Sequence, residues 1–148
     1  EIQVFVASAT ESGISQFALD LGVLGNVVVP SGPTDTAVGT PGDDLLFGTV
    51  ERDTLRGMAG NARIIDGHGI DMIHNVRDGC YDRVMDYQPG LDRIDLTDFD
   101  RVHSIASLEI DPTTYGARIT IGSEAILLVT AGGQVLTAAD FDASDFIF

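Results

Sequence analysis

The chain of 148 residues lacks lysine and tryptophan and has a single cysteine, Cys80. No disulfide can therefore form within it. Its eight arginines are outnumbered by 23 acidic residues, and the net charge is −15. The negative charge would repel a phosphate backbone, which argues against nucleic acid as a partner. No apolar run approaches the ~20 residues of a membrane span, which argues against membrane insertion.

The common catalytic and zinc-binding motifs are also absent. The sequence contains neither G-x-S-x-G nor H-E-x-x-H, the patterns of a nucleophile elbow and of a zinc protease. The spacing of His68, His74 and Cys80 does not match a short zinc-ligand cluster. We therefore expect no catalytic residue, no organic cofactor and no enzyme activity within this chain.

A nine-residue unit occurs four times in succession between Gly39 and His74. The copies are G-T-P-G-D-D-L-L-F (39–47), G-T-V-E-R-D-T-L-R (48–56), G-M-A-G-N-A-R-I-I (57–65) and D-G-H-G-I-D-M-I-H (66–74). Glycine in the first and fourth places permits a tight loop, and the last three residues suit a short strand with its eighth place turned inward. One unit cannot bury that residue alone, so the period predicts stacked units in a parallel β-roll.

The acidic residues of the repeat suggest a metal. Asp outnumbers Glu in this chain, and Asp usually fills the sixth place of the unit. Stacking brings Asp carboxylates and backbone carbonyls of two loops to one cavity, and such all-oxygen surroundings suit Ca²⁺. The alternative is a purely structural roll that binds no metal, because Gly and Asp are also common in ordinary turns.

From about Gly39 to Phe148 the chain resembles the RTX, or haemolysin-type calcium-binding, family. The nonapeptide is the repeat of that family. The segment D-R-V-M-D-Y-Q-P-G-L-D-R-I-D-L (82–96) is similar to the one that closes the roll, and D-F-I-F (145–148) is similar to the end of proteins exported by type I secretion. The resemblance implies a secreted module that folds on extracellular Ca²⁺, with its C-terminal end presented to a type I exporter.

The resemblance also implies the ligands. In that family two units make one coil, so equivalent ligands lie two units apart in the sequence, and Asp53 is paired with Asp71 on one edge of the roll. Backbone carbonyls would come from Gly48, Val50, Gly67 and Gly69. On the other edge Asp44 meets Ala62, which weakens the site there. Asp82 is a further candidate, displaced by the inserted pair Asn75-Val76.

We expect three parts in the chain. They are an N-terminal segment of unknown role packed on the roll (1–38), the calcium-binding β-roll (39–96), and an antiparallel, β-sandwich-like cap (97–148). The first part is predicted to hold strands at 2–6 and 27–29, a helix within 12–22, and a linker at 34–38. The chain begins at Glu1 rather than Met, so we expect it to be a piece of a longer protein.

Two other functions stay open. A polysaccharide-binding or adhesion module would need an exposed basic or aromatic strip, for which the candidates are Arg52, Arg56, Arg63 and Tyr81. A small enzyme using residues 1–38 is the other possibility, and no motif in that stretch supports it.

Overall fold

The computed structural model describes residues 26–29 and 36–148, and it confirms an all-β parallel roll followed by an antiparallel cap. The strands are β1 (Val27–Val28), β2 (Thr36–Val38), β3 (Leu45–Phe47), β4 (Thr54–Arg56), β5 (Arg63–Ile65), β6 (Met72–His74), β7 (Tyr81–Tyr87), β8 (Arg93–Asp95), β9 (Glu109–Thr113), β10 (Gly116–Ile121), β11 (Glu124–Thr130) and β12 (Phe146–Ile147). The helices of the described residues are single 3₁₀ turns at Ile105–Ser107, Ala138–Asp140 and Ala143–Asp145. None of them is long and apolar enough to cross a membrane.

Successive strands of the roll alternate between two parallel sheets. β1, β3, β5 and β7 are neighbours in one sheet, and β2, β4, β6 and β8 are neighbours in the other. Leu45 lies opposite Arg63 and Thr54 lies opposite Met72, so two successive units of the repeat make one coil. The eighth-place residues Leu46, Leu55, Ile64 and Ile73 are at most 1% exposed and fill the space between the sheets. Burial of each such side chain is worth about 1.5–3 kcal/mol.

The last coil is longer than the others. Arg63 lies opposite Arg83 and Met72 lies opposite Arg93, so both pairings span more of the sequence than two repeat units. The two residues by which the pairing of Arg63 with Arg83 exceeds two repeat units agree with the predicted insertion Asn75-Val76. The extra length coincides with β7, the longest described strand of the roll.

The cap extends both sheets of the roll. Strands β9, β10 and β11 form an antiparallel meander, and β11 then lies parallel to β7. β12 lies parallel to β8 at the edge of the other sheet. The prediction of a sandwich-like cap is therefore wrong in one respect, because the cap strands join the two sheets of the roll and do not form sheets of their own. Ile119, Ile126 and Phe146 accordingly share one core with the repeat residues.

The roll begins before Gly39. Residues 34–38 are predicted to be a linker, but Thr36–Val38 form β2, which pairs with β4 in the same two-unit register. The repeat frame continues backward in the sequence, with Asn26 and Asp35 in the sixth place and Val28 and Ala37 in the eighth. These units escape notice because proline and leucine replace their glycines. The expected strand at 2–6 and the expected helix within 12–22 lie outside the described residues.

We predict that Gly60→Ala is far more destabilising than Gly79→Ala. Both glycines have positive φ, 103° and 85°, so each substitution incurs left-handed strain of about 1–2 kcal/mol. Only at Gly60 would the new Cβ collide, at 2.4 Å from the carbonyl carbon of Gly42 in the adjacent coil, whereas nothing lies within 4 Å at Gly79. Crowding adds about 1–3 kcal/mol to the loss of unfolding free energy. Urea denaturation of both variants measures the difference, and equal losses would contradict close stacking of the coils.

Candidate metal centre

The sixth-place residues stack in two columns, one along each edge of the roll. Asp53, Asp71 and Asp92 immediately precede the paired strands β4, β6 and β8, so they follow one another along one edge. Along the opposite edge, Asp44 and Ala62 immediately precede β3 and β5, and Asp82 is the second residue of β7. All five aspartates are buried, although each stands at or next to the end of a loop. We call the first column the Asp71 edge and the second the Asp44 edge.

On the Asp71 edge, each coil is bound to the next through one carboxylate oxygen. The amide of Asp53 donates to Oδ1 of Asp71 at 2.7 Å, and the amide of Asp71 donates to Oδ1 of Asp92 at 3.2 Å. The second oxygen of Asp92 closes its own loop by accepting from the amide of Gln88 at 2.6 Å. The sixth-place aspartates thus hold adjacent coils together through their carboxylates.

Asp66 departs from this pattern. It occupies the first place of the fourth unit, where Gly stands in the other three, and its side chain is fully buried. Within the described residues neither of its carboxylate oxygens has a hydrogen-bond partner, and the same holds for Oδ2 of Asp71 and Oδ1 of Asp53. Asp66, Asp71 and Asp92 each place one carboxylate oxygen within 4.8 Å of the other two. We call these three residues the Asp66 cluster.

The Asp66 cluster is electrostatically unstable as three bare carboxylates. Burial, reinforced by neighbouring Asp86 and Asp92, raises the pKa of Asp66 to about 10. Burial also raises the pKa of Asp71 to about 6, and it raises the pKa of Asp92. Like charges in a desolvated site require either protons or a cation as compensation.

The four predicted carbonyl donors lie in the loops beside the Asp71 edge. A Cβ on Gly48 would lie 2.9 Å from Oδ2 of Asp53, and one on Gly69 would lie 3.2 Å from Oδ1 of Asp71. The carbonyl of Gly67 accepts a hydrogen bond from Nε2 of Gln88 at 2.9 Å. Val50 lies in the exposed part of its loop. The role of these carbonyls as ligands stays a prediction.

The Asp44 edge is interrupted as the repeat frame predicts. Ala62 separates Asp44 from Asp82, and the amide of Ala62 donates to Oδ1 of Asp82 at 2.9 Å. Oδ1 of Asp44 accepts from the amide of Asn26 at 3.0 Å. Burial raises the pKa of Asp82 to about 7. Among the described residues, this edge lacks the stacked pair of sixth-place carboxylates found on the other.

Sequence reasoning did not single out Asp66, Asp86 or Asp92 as site residues. Asp86 supports the cluster by accepting from the amides of Asp66 at 2.9 Å and Gly67 at 3.0 Å. A signal for Asp92 exists, because Asp92-Arg93-Ile94 repeats the pattern of Asp71-Met72-Ile73 after the lengthened coil. For Asp66 the only sequence signal is its replacement of the glycine that opens the other units.

Comparison with solved structures gives a weak likeness. No protein-family model matches this chain, and no curated protein matches it. Among solved structures, the chain is similar to the solution structure of the AlgE6R3 subunit from the Azotobacter vinelandii mannuronan C5-epimerase. The two are 21% identical over 76% of this chain and 77% of that chain, with a TM-score of 0.29. At that score the likeness carries no conclusion about function.

In calcium-free buffer we predict that the free energy of unfolding falls as the pH rises from 5 to 8. Asp66, Asp71 and Asp82 have folded-state pKa values above their model value of 3.8, so the folded chain binds more protons than the unfolded chain. The stabilisation from these extra protons is complete below pH 4. The contributions of Asp71 and Asp82 are lost as the pH passes their folded-state pKa values of about 6 and about 7, and the contribution of Asp66 continues to fall at higher pH. Far-ultraviolet circular dichroism at pH 5, 6, 7 and 8 measures the folded fraction, and urea denaturation measures the free energy wherever the chain is folded. A free energy that rises over this range would contradict the buried cluster.

Proposed function

We propose that this chain is a non-catalytic calcium-binding module whose roll folds when the cation binds. Asp66, Asp71 and Asp92 would supply the carboxylate ligands. The observation that carries the proposal is Asp66, a fully buried carboxylate with both oxygens unpartnered among the described residues. A structural roll without metal gains nothing from such a group, since burying it requires either an unpaired charge or the uptake of a proton.

The donor set favours Ca²⁺ over other metals. The Asp66 cluster consists of carboxylates alone, without sulfur or imidazole donors of the kind that zinc prefers. Mg²⁺ demands octahedral geometry and usually keeps several waters, which does not suit three fully or almost fully buried aspartates. Ca²⁺ takes six to eight oxygens in flexible geometry, so carbonyls of the adjoining loops can complete its shell.

The sequence-predicted ligands enter the proposal around this cluster. Asp53 is the next aspartate along the Asp71 edge, and its Oδ1 has no hydrogen-bond partner among the described residues. Its backbone amide donates to Oδ1 of Asp71. Carbonyl donors would be drawn from the predicted set of Gly48, Val50, Gly67 and Gly69. Asp44 and Asp82 belong to the weaker Asp44 edge, where Ala62 interrupts the column.

The coupling between binding and folding follows from the position of the ligands. Asp66 and Asp71 belong to the fourth repeat, whereas Asp92 follows the lengthened coil, so the three converge only after the coils have stacked. A cation bound only by the folded chain stabilises it by about 2.7 kcal/mol at a concentration 100 times Kd. Low cytoplasmic calcium would leave the chain unfolded, and higher extracellular calcium would fold it.

The C-terminal end supports a role in type I secretion. Phe146 and Ile147 form β12 at the edge of the five-stranded sheet that also contains β8, β6, β4 and β2, and Phe146 is buried. Arg93 fastens the turn before β12, since its Nε donates to the carbonyl of Ser144 at 2.8 Å. An exporter that recognises this end would have to meet it before folding. We infer export of the unfolded chain and folding outside the cell, as a module of a secreted parent protein.

A calcium titration of chelator-stripped protein tests this function. We predict a gain of β signal in far-ultraviolet circular dichroism with Ca²⁺, and a smaller response with Mg²⁺. Asp66→Asn, Asp71→Asn and Asp92→Asn should each shift the calcium midpoint at least tenfold upward, because each removes a charged ligand. Asp100→Asn, at an exposed position of the cap, is the matched control with the same charge change.

The behaviour of Asp66→Asn separates a ligand from a structural residue. In calcium-free buffer at pH 8 the folded fraction of the variant should exceed that of the wild type, since the amide is already neutral, whereas the wild-type carboxyl must take up a proton to be buried. In saturating calcium the order should reverse. Identical calcium midpoints for the wild type and this variant, or no response of the wild type to calcium, would rule the proposal out.

A further inference from the structure

A cavity of about 490 Å³ opens where the last coil of the roll meets the cap. Its walls come from the loop between β6 and β7, the turn after β8, and the two-residue turn that joins β10 to β11. The volume falls within the range of small-molecule sites, about 300–1,000 Å³. None of the residues that line it belongs to the Asp66 cluster or to the four repeat units. We call it the cap cavity.

The loop between β6 and β7 brings Arg77 to the cap cavity. The amide of Gly79 donates to both carboxylate oxygens of Glu124, at 2.8 and 2.7 Å. Glu124 is buried at the start of β11, so this contact ties the loop to the cap two residues after Arg77. Arg77 itself is exposed. The anchored loop therefore holds an exposed arginine at the wall of the cavity.

The turn after β8 brings a second arginine, Arg101. The amide of Phe99 donates to the carbonyl of Leu96, and the amide of Val102 donates to the carbonyl of Phe99, each at 2.9 Å, so two turns follow each other. Phe99 and Val102 are buried and anchor the second turn in the core. Arg101 lies between them in the sequence and is exposed. The second turn thus presents Arg101 to the same cavity as Arg77.

The charges of the cap cavity suit an anion with a single charge. Within the described residues neither Arg77 nor Arg101 forms an ion pair. A guanidinium binds a carboxylate through two parallel hydrogen bonds. Two acidic residues, Asp100 and Glu124, also line the cavity and limit the negative charge that it can hold. A phosphate carries about −1.5 to −2 at pH 7, so a carboxylate is the favoured anion.

The buried part of the lining is apolar apart from Glu124. Phe99, Val102 and Ile121 line the cavity, and each is at most 7% exposed. Ile121 precedes the turn between β10 and β11, where Gly122 has a φ of 63°, as tight two-residue hairpin turns require. An apolar group of a ligand would leave water against these three side chains. Hydroxyl groups of a sugar would instead lose hydrogen bonds there.

We propose that the cap cavity binds a carboxylate attached to an apolar body, either a free organic acid or the C-terminal residue of a peptide. Arg77 and Arg101 bind the carboxylate, and the apolar body packs against the three buried apolar side chains. Ser107 and Ser123 also line the cavity, and their hydroxyl groups can donate to the same carboxylate. The site shares no residue with the Asp66 cluster, so it is independent of the calcium ligands.

A nuclear magnetic resonance titration tests the ligand chemistry. The probe is 3-phenylpropionate, added to ¹⁵N-labelled protein in calcium under conditions where circular dichroism shows a folded chain. The backbone amide signals of Arg77, Arg101 and Ser123 should shift with one common Kd. Acetate lacks the apolar body and 3-phenylpropanamide lacks the charge. Each should bind at least about tenfold more weakly, because each loses one of the two kinds of contact.

Charge-matched double variants locate the site. Arg77→Gln/Arg101→Gln should weaken binding of 3-phenylpropionate about tenfold, since two exposed charge-assisted contacts are lost. Arg52→Gln/Arg118→Gln removes the same charge at exposed positions outside the cavity and should keep the wild-type Kd. Both variants are compared at matching circular dichroism. If a double variant fails to fold, Arg101→Gln against Arg118→Gln gives the same comparison.

N-acetylglycylphenylalanine, which has a free carboxylate, distinguishes the two sources of the ligand. Binding at least tenfold tighter than that of 3-phenylpropionate assigns the cavity to peptide C-termini, and equal or weaker binding assigns it to free acids. Three results would overturn the proposal. They are no saturable shift with either probe, equal affinity for 3-phenylpropionate and its amide, and equal losses in the two double variants.

Discussion

Desolvation of aspartates at the edges of the stacked coils is the constraint on which the rest of this structure depends. The repeat places a carboxylate where each loop turns into a strand, and stacking removes it from water. Backbone amides of the adjacent coil donate hydrogen bonds to some of these carboxylate oxygens, as the amide of Asp53 does to Oδ1 of Asp71. Such amide donors compensate a buried carboxylate without a bound proton or cation. This compensation fails at the Asp66 cluster, where oxygens of Asp66 and Asp71 have no such donor among the described residues.

The same cluster lies next to the region where the roll meets the C-terminal end. Asp92 belongs to the cluster, and the next residue, Arg93, holds the turn that leads into β12. Tyr87 donates weakly from its hydroxyl to the carbonyl of Asp92 at 3.5 Å, and its ring packs against Phe141 at a centroid distance of 6.3 Å. Phe141, Phe146 and Phe148 continue this aromatic packing. Two consecutive residues, Asp92 and Arg93, thus contact the cluster and the turn before the C-terminal strand.

The repeat period accounts for most of what could be foreseen of the fold. An aliphatic residue at every eighth place has a direct physical consequence, since Leu46, Leu55, Ile64 and Ile73 have no other way to leave water than between two sheets. The period, together with the coil of two units that the family resemblance implies, also led to the Asp53 and Asp71 column. It failed at 34–38, where proline obscured the frame, and at the cap, whose alternating strands are equally compatible with a separate sandwich. Which sheet edge an antiparallel meander joins depends on a long-range pairing, β11 with β7, that leaves no local pattern.

By itself the sequence determined the stacked strands and their inward residues, because these follow from the repeat period and the alternation of side chains along a strand. The two columns of sixth-place aspartates followed only with the coil of two units that the family resemblance implies. Only the tertiary structure decided which charged groups meet. The lengthened last coil brings Asp92 to Asp66 and Asp71, and the sheet register aligns Arg63, Arg83 and Arg118. Proximity between residues far apart in the sequence depends on register and loop length together. A shift of one residue would turn Arg63, Arg83 and Arg118 inward and separate the cluster.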